Sequence, residues 1–325
     1  TVSPAQPLHV EGNMYLNGNL SAGNLGMFRN RIINGDMRIA QRGTTFTNIS
    51  GSGVKMYTLD RWFIQQNNTA GNSISKLTGI TGLGDITTGI RLQRPNASTT
   101  TEFYFGQALE SQDSITFNSQ VAILSFYLRA GANLSGNITV YIYSGTGTDQ
   151  DAGNMAGGTW TGQTTVASSA ITAVSISSGW TRFTISGTVP SNCNQIGILF
   201  VKTNSGTAGA NDYIDITGVQ LEKGNMVTPF EYRPYAMELQ MCQRYYWKSK
   251  SGQPFMLFMN RTSGYKTLTM TRAVSMRIAP IESYTTNEGS GYVICSTVDT
   301  IELSFSGCSD AGHTYLYNYV ANAEL

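Results

Sequence analysis

The stretch VAILSFYLRAGANLSGNITVYIYS, residues 121–144, contains two runs in which apolar and polar residues alternate, separated by a turn rich in Gly and Asn. In the first run Leu124, Phe126 and Leu128 share one parity, and the opposite parity includes Ser125 and Arg129. A period of two residues is that of a β-strand with one buried face. The stretch therefore predicts two strands of an antiparallel sheet that is apolar on one side and polar on the other.

Similar runs recur through the central part of the chain, where they alternate with clusters of Gly, Ser, Thr and Asn. The predicted strands are 103–108, 121–130, 137–144, 170–177, 181–189, 195–203 and 213–221. Short strands at this spacing, with almost no helical period, are typical of an antiparallel sandwich. We predict an all-β fold in which 29–234 form a jelly-roll β-sandwich and 145–162 form a long surface loop.

The N-terminal end differs from this central part. In 8–20 the apolar residues share one parity and are interrupted by Gly-Asn pairs, which predicts a short β-ribbon. A ribbon of this length cannot bury its apolar face alone. We therefore expect 1–28 to be a stalk segment that intertwines with other protomers, and a frayed terminus is the alternative.

A short helix is predicted where the sandwich ends, because Met237, Met241 and Tyr245, together with Cys242 and Tyr246, recur with helical spacing. Further strands are predicted at 253–259, 266–271, 291–296, 300–305 and 313–320. We expect 235–325 to form a helical linker and a small β-rich C-terminal tip domain.

The charge balance excludes some classes of partner. The 325 residues include 21 Lys and Arg against 20 Asp and Glu, a net charge of +1. Such a chain has no excess of positive charge with which to attract a polyanion, so nucleic acid is not expected as a partner. Apolar runs such as 121–124 and 196–201 are far shorter than the roughly 20 residues of a bilayer span, so membrane insertion is not expected either. The first residues lack the basic start and apolar core of a secretory signal.

The four cysteines, Cys193, Cys242, Cys295 and Cys308, show no CxxC spacing, and the chain has only two His. This pattern does not predict a zinc framework. We expect reduced, buried thiols, with a disulfide between Cys295 and Cys308 as the alternative.

Few residues suggest catalysis, and we expect a protein that is not an enzyme. Neither His has a Ser or Cys partner in a recognisable nucleophile motif. Asp149 with Asp151, or Asp212 with Asp215, could supply the two carboxyl groups of a glycosidase. Both pairs lie beside turn glycines, where Asp commonly binds backbone N–H groups. A glycan depolymerase or hydrolase is therefore the alternative function.

No cofactor is required by these patterns, and calcium is the one metal considered. Asp36, Asp215 and Glu222 could meet where the first and last strands of a jelly roll lie side by side, and Ca²⁺ prefers such oxygen ligands. Ordinary ion pairs are the alternative use of these carboxylates.

Aromatic residues in polar settings are the candidate glycan ligands, because sugars stack their C–H faces on aromatic rings and bind polar groups through their hydroxyls. Trp160 lies in the polar sequence AGGTWTGQTT, where an exposed ring is expected. Trp62 and Trp180 lie in strand-like contexts and are expected in the core. The other candidates are Tyr246, Trp247, Tyr315 and Tyr317.

Three segments carry a family resemblance. They are NRIINGDMRIAQRG at 30–43, YTLDRW at 57–62 and VQLEKGNMVTPFEYRPYAMELQMCQRYYWK at 219–248. They resemble a recurrent tail-fibre family of tailed bacteriophages and cyanophages, in which a carbohydrate-binding-module-like jelly roll precedes a C-terminal tip. SFYLRAG at 125–131 and SSGWTRFTISGTVP at 177–190 match more loosely, and no motif after residue 248 matches.

The resemblance implies a homotrimeric receptor-binding protein in the tail fibre of the virion, assembled in the host cytoplasm. Its implied partners are host surface polysaccharide or lipopolysaccharide and other phage tail or baseplate proteins. An architectural tail connector is a further alternative. We expect the matching residues to close the sandwich and orient the helix, because opposite charges such as Asp36 with Arg38, and Glu231 with Arg233, favour ion pairs between the first and last strands.

Overall fold

The computed structural model describes residues 28–49, 54–66, 71–99, 102–173, 176, 178–249, 255–258, 266–272, 274–286, 290–306 and 313–324. Only the backbone is described at 48, 54, 255–258, 266–270, 285–286, 290–296, 301–306 and 313–318. The predicted stalk lies outside the described residues, apart from Phe28. No helix of the described part is long and apolar enough to cross a bilayer.

Two six-stranded sheets form the central part of the chain, and every strand pair in them is antiparallel. The first sheet has the order β1(Thr45–Ile49)-β4(Asn72–Thr78)-β5(Thr88–Gln93)-β12(Tyr213–Lys223)-β7(Val121–Ala130)-β10(Thr181–Thr188). The second has the order β2(Val54–Tyr57)-β3(Phe63–Gln66)-β6(Glu102–Ala108)-β11(Gln195–Thr203)-β8(Asn137–Gly145)-β9(Thr164–Thr172). Because the chain alternates between the sheets from β5 to β8 and again from β9 to β12, the architecture is consistent with the predicted jelly-roll sandwich.

The core lies between the two sheets and follows the predicted alternation. Leu124, Phe126 and Leu128 are fully buried, and the ring of Phe126 meets that of Phe200 edge-on at 5.0 Å between centroids. Trp62 is also fully buried and stacks on Phe105 at 4.7 Å, which confirms its predicted core position. Burying each of these large side chains contributes about 1.5–3 kcal/mol, so their inward placement fixes the strand register.

The seven strands predicted for the central part correspond to β6–β12, although β9 begins well before the predicted 170–177. The sequence analysis did not identify β1–β5. These strands are short or mostly polar, as in NSISKLT of β4, and their alternation is correspondingly weak.

Residues 145–162 form the long connection that the sequence predicts, but part of it is helical and packed against the sheet. They contain a one-turn helix, α2(Ala152–Ala156), whose first turn is capped by Asp151 Oδ1, which accepts from the Gly153 N–H at 2.6 Å. The segment folds back on the second sheet and buries Trp160. Two further short turns, α1(Ser111–Ser114) and a 3-10 turn at Ile115–Phe117, connect β6 to β7.

The three segments that carry the family resemblance are joined to one another by hydrogen bonds. Asn30 Oδ1 accepts from the backbone N–H of Leu221 at 3.1 Å, and Asn30 Nδ2 donates to Val219 O at the same distance. Trp62 Nε1 donates to Asn34 O at 2.8 Å, and Asn34 Nδ2 donates to Asp60 O at 3.0 Å. These long-range hydrogen bonds confirm the prediction that the segments close the sandwich.

Both ion pairs expected near this closure are present, Arg38 with Asp36 and Arg233 with Glu231, the latter at 3.7 Å, and Glu238 is a further partner of each arginine. Arg38 lies 3.5 Å from Asp36 and 3.7 Å from Glu238. Arg233 pairs with Glu238 at 3.2 Å and donates to the backbone oxygen of Asn30. Glu238 lies within the helix that follows, and its contacts with Arg233 and the Asn34 backbone N–H hold that helix to the closure, a role that the sequence does not predict.

Helix α3(Tyr235–Gln243) follows the closure at the predicted place. Its buried residues are Glu238 and Cys242, and Cys242 packs with Tyr245 against Ile33 and Ile39. The predicted face is therefore correct at Cys242 and Tyr245, whereas Met237 is only half-buried.

Beyond the helix the described residues contain two small antiparallel sheets, as the sequence predicts. The first joins β13(Tyr246–Lys248), β14(Phe255–Phe258), β16(Ile281–Thr286) and β19(His313–Asn322), and the second joins β15(Lys266–Thr271), β17(Ser290–Ser296) and β18(Thr300–Ser306). Neither β13 nor β16 is predicted from the sequence. The end of β19 returns to the sandwich, where Glu324 forms ion pairs with Arg61 and Arg42. A domain boundary at residue 234 remains a prediction.

Cys193 and Cys242 are buried free thiols, as expected. Burial raises the pKa of both thiols, which keeps them protonated near neutral pH. The Cys295–Cys308 alternative falls outside the described side chains.

One end of the sandwich is held by a buried charged cluster, which we call the Asp212 cluster: Arg94, Asp212, Lys202 and Ser135. Arg94 Nη1 donates to Asp212 Oδ2 at 2.7 Å and Lys202 Nζ to Asp212 Oδ1 at 3.1 Å, and Ser135 Oγ lies 2.7 Å from Oδ2. All three charged side chains are 2% exposed or less. Arg94 also donates to the backbone oxygens of Ser98 and Gly206, so the cluster connects three loops.

The Asp212 cluster predicts a specific pH dependence of stability. Burial lowers the pKa of Lys202 from 10.5 to about 8, against the attraction of Asp212. Between these values the folded chain has lost this proton while the unfolded chain still holds it, so the contribution of Lys202 to the free energy of unfolding rises with pH. In urea titrations we expect wild type to gain stability relative to Lys202→Met between about pH 7 and about pH 10. A pH-independent difference between the two proteins would refute this.

Candidate functional site

Trp160, the first candidate glycan ligand from the sequence, is not exposed. Its side chain is 3% exposed, and Nε1 donates to Asp151 O at 2.8 Å. The polar residues around Trp160 do not make it exposed, because the turn places the ring against the second sheet. There it packs with Met155 and Leu199. The expectation of an exposed ring at Trp160 is therefore wrong.

Glycine makes this packing possible. A Cβ on Gly197 in β11 would lie 2.2 Å from Met155 Sδ and 3.0 Å from the Trp160 ring. The absence of that atom lets α2 and Trp160 sit directly on the strand. The turn covers only part of the outer face of the second sheet, because side chains beside it remain half-buried.

The neighbouring part of that face carries three half-buried tyrosines, which we call the tyrosine face: Tyr104 on β6 and Tyr141 and Tyr143 on β8. In the strand register Tyr104 lies opposite Val201 of β11, and Tyr141 lies opposite Leu199 of the same strand. Successive strand residues point to opposite sides of a sheet. Since Val140 and Ile142 fill the core, Tyr141 and Tyr143 are placed on the outer side.

The tyrosine face combines flat apolar rings with polar groups. The rings of Tyr141 and Tyr143 are stacked, with centroids 5.0 Å apart and planes 8° from parallel. Tyr104 donates its hydroxyl to Glu102 Oε1 at 2.6 Å. Burial, followed by the nearby Tyr141 phenol, raises the pKa of Tyr143 to about 12, so its hydroxyl stays neutral and can both donate and accept.

The edge strand β9 adds exposed hydroxyl groups beside the tyrosines. Ser168 pairs with Tyr141 and Thr165 with Tyr143, and both β9 residues are exposed. Aromatic rings beside hydroxyl and carboxylate groups match the apolar faces and the hydroxyls of a sugar. The sequence analysis noted the alternation of Tyr141 and Tyr143 but did not consider their rings as a binding surface.

The remaining aromatic candidates have different surroundings. Tyr246 is 8% exposed and packs under the Arg42 guanidinium, which lies 3.6 Å from its ring centroid, so its ring is not free to stack on a sugar. Trp247 is half-buried and lies 5.5 Å from the ring of Tyr319. Tyr315 and Tyr317 lie on β19, and their side chains fall outside the described residues.

Trp180 differs from its predicted core position. It is half-buried rather than buried, and the guanidinium of Arg129 lies 4.8 Å from its ring centroid. It directly precedes β10, and because Thr181 pairs with the core residue Leu128, Trp180 falls beside Arg129 on the outward parity of the sheet rather than in the core.

The three calcium candidates are used in separate polar contacts. Asp215 accepts from Arg91 at 2.8 Å and from Arg129 at 2.7 Å. Glu222 accepts from the Thr228 hydroxyl at 2.7 Å. Burial raises the pKa of Asp36, and its cationic neighbour is Arg38. The described part of the chain contains no group of three or more acidic, His or Cys side chains that could hold a metal ion, so the expected convergence of the three carboxylates is wrong.

The carboxylate pairs considered for glycoside cleavage also have structural partners. Asp149 Oδ1 accepts from the Ser111 backbone N–H at 2.7 Å, and Asp151 caps α2 and pairs with Lys55. Asp212 and Asp215 are fully buried in ion pairs with Arg and Lys. Each of these contacts is a structural use of the carboxylate.

Comparisons with known proteins give structural likenesses of low similarity. The chain resembles a CBM4 structure with 17% identity, covering 59% of this chain and 98% of that chain at a TM-score of 0.34. It also resembles the enzymatically active domain of bacteriophage CBA120 tailspike protein 4, with 14% identity, 60% of this chain, 22% of that chain and a TM-score of 0.39. A Stig cyclase from Fischerella matches with 10% identity over 61% of this chain and 98% of that chain, at a TM-score of 0.38.

No protein-family model matches the chain, and no curated protein sequence matches it. At such low identities and TM-scores, none of the structural likenesses assigns a function to this chain.

Proposed function

We propose that this protein is a non-catalytic receptor-binding protein of a phage tail fibre, and that it binds bacterial or cyanobacterial surface polysaccharide through the tyrosine face. The observation that carries the proposal is the outward placement of Tyr104, Tyr141 and Tyr143 beside the exposed hydroxyls of β9. The sequence resemblance to tail fibres supports the biological setting: a homotrimer in the virion, joined to other tail or baseplate proteins.

A trimer would make weak individual sites sufficient. A site with a Kd of about 1 mM supplies only about 4 kcal/mol of binding free energy. Three linked copies can raise the apparent affinity by about 10² to 10⁴ without any new contact. The tyrosine face, a row of half-buried rings on the outer side of the second sheet, fits this mode of binding.

Two measurements on the purified chain test the proposal. Light scattering measures the mass of the particle, and we expect three copies of the 35.2 kDa chain. Adsorption to immobilised capsular polysaccharides and lipopolysaccharides from a panel of bacteria is expected for at least one of them. A monomer at micromolar concentration contradicts the trimer, and adsorption to no polysaccharide contradicts the function.

A parallel assay for new reducing ends or unsaturated sugars separates binding from cleavage. We expect no release of oligosaccharides from the polysaccharides that the chain adsorbs. Release would favour the depolymerase alternative. Capture of a tail protein without any adsorption to glycan would favour an architectural connector.

A further inference from the structure

A second group of aromatic and polar side chains lies on the outer side of the first sheet, across the sandwich from the tyrosine face. In the register of β7 and β10, Arg182 lies opposite Tyr127, and Trp180 falls beside Arg129. We call these four half-buried residues the arginine block. The Arg129 guanidinium lies 4.8 Å from the centroid of the Trp180 ring, and that of Arg182 lies 5.6 Å from the Tyr127 ring. Each arginine of the block therefore has an aromatic ring beside it.

Both arginines keep one terminal nitrogen, Nη1, open to solvent. Arg129 donates to Asp215 from Nε at 2.9 Å and from Nη2 at 2.7 Å. Arg182 donates from Nη2 to Ser125 Oγ at 3.0 Å and to Thr228 O at 2.6 Å. Within the described part of the chain, the buried polar atoms without a partner include Arg182 Nε but neither Nη1 atom. Since no described residue accepts from either Nη1, both atoms are reached by solvent, and the Arg129 side chain is 31% exposed.

The arginine block carries more positive than negative charge. Asp215 is fully buried, and it is shared, because Arg91 on the neighbouring strand β5 also donates to it at 2.8 Å. One carboxylate therefore balances only one of the two arginines that it holds. Arg182 has no ion-pair partner among the described residues, and its contacts are with neutral groups.

The other carboxylates on this side of the sheet do not remove that excess. Glu222 lies opposite Ile123, about 20 Å along β7 from Arg129, and accepts from neutral donors of Thr228 and Gln220. Asp85 lies in the loop between β4 and β5 and is exposed, so solvent and salt screen its charge. Three arginines on this face therefore stand against two buried carboxylates.

The spacing of the block favours an acidic sugar over a small anion. Arg129 and Arg182 are diagonal neighbours on an antiparallel pair, with about 7–8 Å between such positions, so one ligand can reach both. A carboxylate accepts strong charge-assisted hydrogen bonds from guanidinium groups. The rings of Trp180 and Tyr127 offer an apolar contact to the C–H face of a pyranose, which an inorganic anion could not use.

We propose that the arginine block is a second saccharide-binding site, which takes a hexuronic acid unit with its carboxylate on Nη1 of Arg129 and Arg182 and its ring against Trp180. The bonds from Arg129 to Asp215 hold that guanidinium in place before the ligand arrives, so little conformational entropy is lost on binding. This inference rests on the proposed function for its ligand class, and it assigns acidic units of the polysaccharide to the first sheet.

Saturation-transfer NMR titrations on the full chain test the inference with three probes. They are the methyl glycoside of glucuronic acid, methyl glucopyranoside as its neutral analogue, and inorganic phosphate as a competing small anion. We expect wild type to bind the glucuronide about tenfold or more tightly than the neutral glycoside, because only the glucuronide has a carboxylate for the arginines. Phosphate is expected to displace it only at a concentration about tenfold or more above that of the glucuronide, because phosphate makes no contact with the rings.

Two variants remove the donors one at a time. Arg182→Gln breaks no ion pair among the described residues, and Arg129→Gln leaves Asp215 paired with Arg91. Each is expected to weaken the glucuronide about tenfold and to leave the weak binding of the neutral glycoside unchanged. Circular dichroism checks that both variants are folded.

Arg244→Gln is the matched control. The Arg244 side chain is 33% exposed and, like that of Arg129, donates from Nε and Nη2 to one buried carboxylate, here Glu110. It lies outside the arginine block, so this variant is expected to bind the glucuronide as wild type does. An equal loss in Arg244→Gln would show an effect of overall charge and would overturn the inference.

The inference is also overturned if wild type binds the glucuronide no more tightly than the neutral glycoside, if phosphate displaces it at equal concentration, or if both block variants bind it as wild type does. Adsorption to polysaccharide that depends on Tyr141 and Tyr143 would then leave the proposed function standing. Glucuronide binding at the arginine block without adsorption to any polysaccharide would refute the proposed function alone.

Discussion

Asp212→Ala is expected to lower the free energy of unfolding by about 3–5 kcal/mol, because it leaves two buried cations without their carboxylate. Arg94 is fully buried and Lys202 is 2% exposed, so solvent cannot replace the lost partner. Hydrogen bonds from Ser135, Lys202 and Arg94 also outweigh burial and lower the pKa of Asp212, which keeps it ionised in the folded chain. Urea unfolding followed by tryptophan fluorescence measures the loss.

Asp151→Ala is the matched control for this variant. Like Asp212, Asp151 pairs with a lysine. It also caps α2, but its side chain is 45% exposed. Its loss is expected to cost about 1 kcal/mol. If the account is right, the double variant Asp212→Ala with Lys202→Met is more stable than Asp212→Ala alone, because it removes one of the uncompensated charges. Equal losses for Asp212→Ala and Asp151→Ala would show that the cluster is not a buried ion network.

Trp160→Ala is expected to lower the free energy of unfolding by about 3–5 kcal/mol, the usual loss for a large buried aromatic ring. The substitution removes a packed ring above Gly197 and leaves Asp151 O without the indole donor. We also expect faster proteolysis within 145–162, since this ring holds the turn against the sheet. Urea unfolding and limited proteolysis with mapped cleavage sites measure the two effects.

Trp180→Ala is the control for that loss. Trp180 is half-buried at the start of β10, and its main charged contact is the Arg129 guanidinium. We expect Trp180→Ala to lower the free energy of unfolding by about 1 kcal/mol, because the variant loses that cation–π contact. The interpretation of Trp160 as a glycan ligand makes the opposite prediction: unchanged stability after Trp160→Ala, together with lost binding to polysaccharide.

The sandwich could be predicted because most of its strands show the alternation of apolar and polar residues within their own sequence. The alternation of Leu124, Phe126 and Leu128 requires only that one face of a strand be buried, and that requirement holds wherever the strand pairs. Short polar strands such as β4 lack this signal, because their pairing is decided by neighbours that are distant in sequence.

The candidate site was harder to predict because exposure depends on tertiary packing. The same polar neighbours surround a buried Trp160 and would surround an exposed one, and the contact with Gly197 that decides between them spans two separate segments. The outward position of Tyr141 and Tyr143 was predictable from the sequence, since they alternate with Val140 and Ile142 on the inner face of the strand. A search for aromatic residues on the outer parity of strands would have identified them.

Ion pairs between residues close in sequence were predictable, as Asp36 with Arg38 and Glu231 with Arg233 show, whereas partners distant in sequence were not. Opposite charges around 30–43 and 219–248 indicated pairing across the closure, and Arg38 and Arg233 do reach Glu238. Arg61, in contrast, pairs with Glu324, 263 positions along the chain. Such a partner depends on where the end of β19 lies against the sandwich, and no local pattern of residues predicts that position.

Binding of the full chain to an adsorbed bacterial polysaccharide, compared between wild type and Tyr141→Ser with Tyr143→Ser, tests the tyrosine face most directly. Thr165→Ala with Ser168→Ala, on the adjacent strand, measures the hydroxyl contribution, and circular dichroism confirms that each variant is folded. We expect the double tyrosine variant to lose binding by about tenfold or more, as the loss of two stacking rings implies. Binding at wild-type strength by a folded double tyrosine variant would contradict the account.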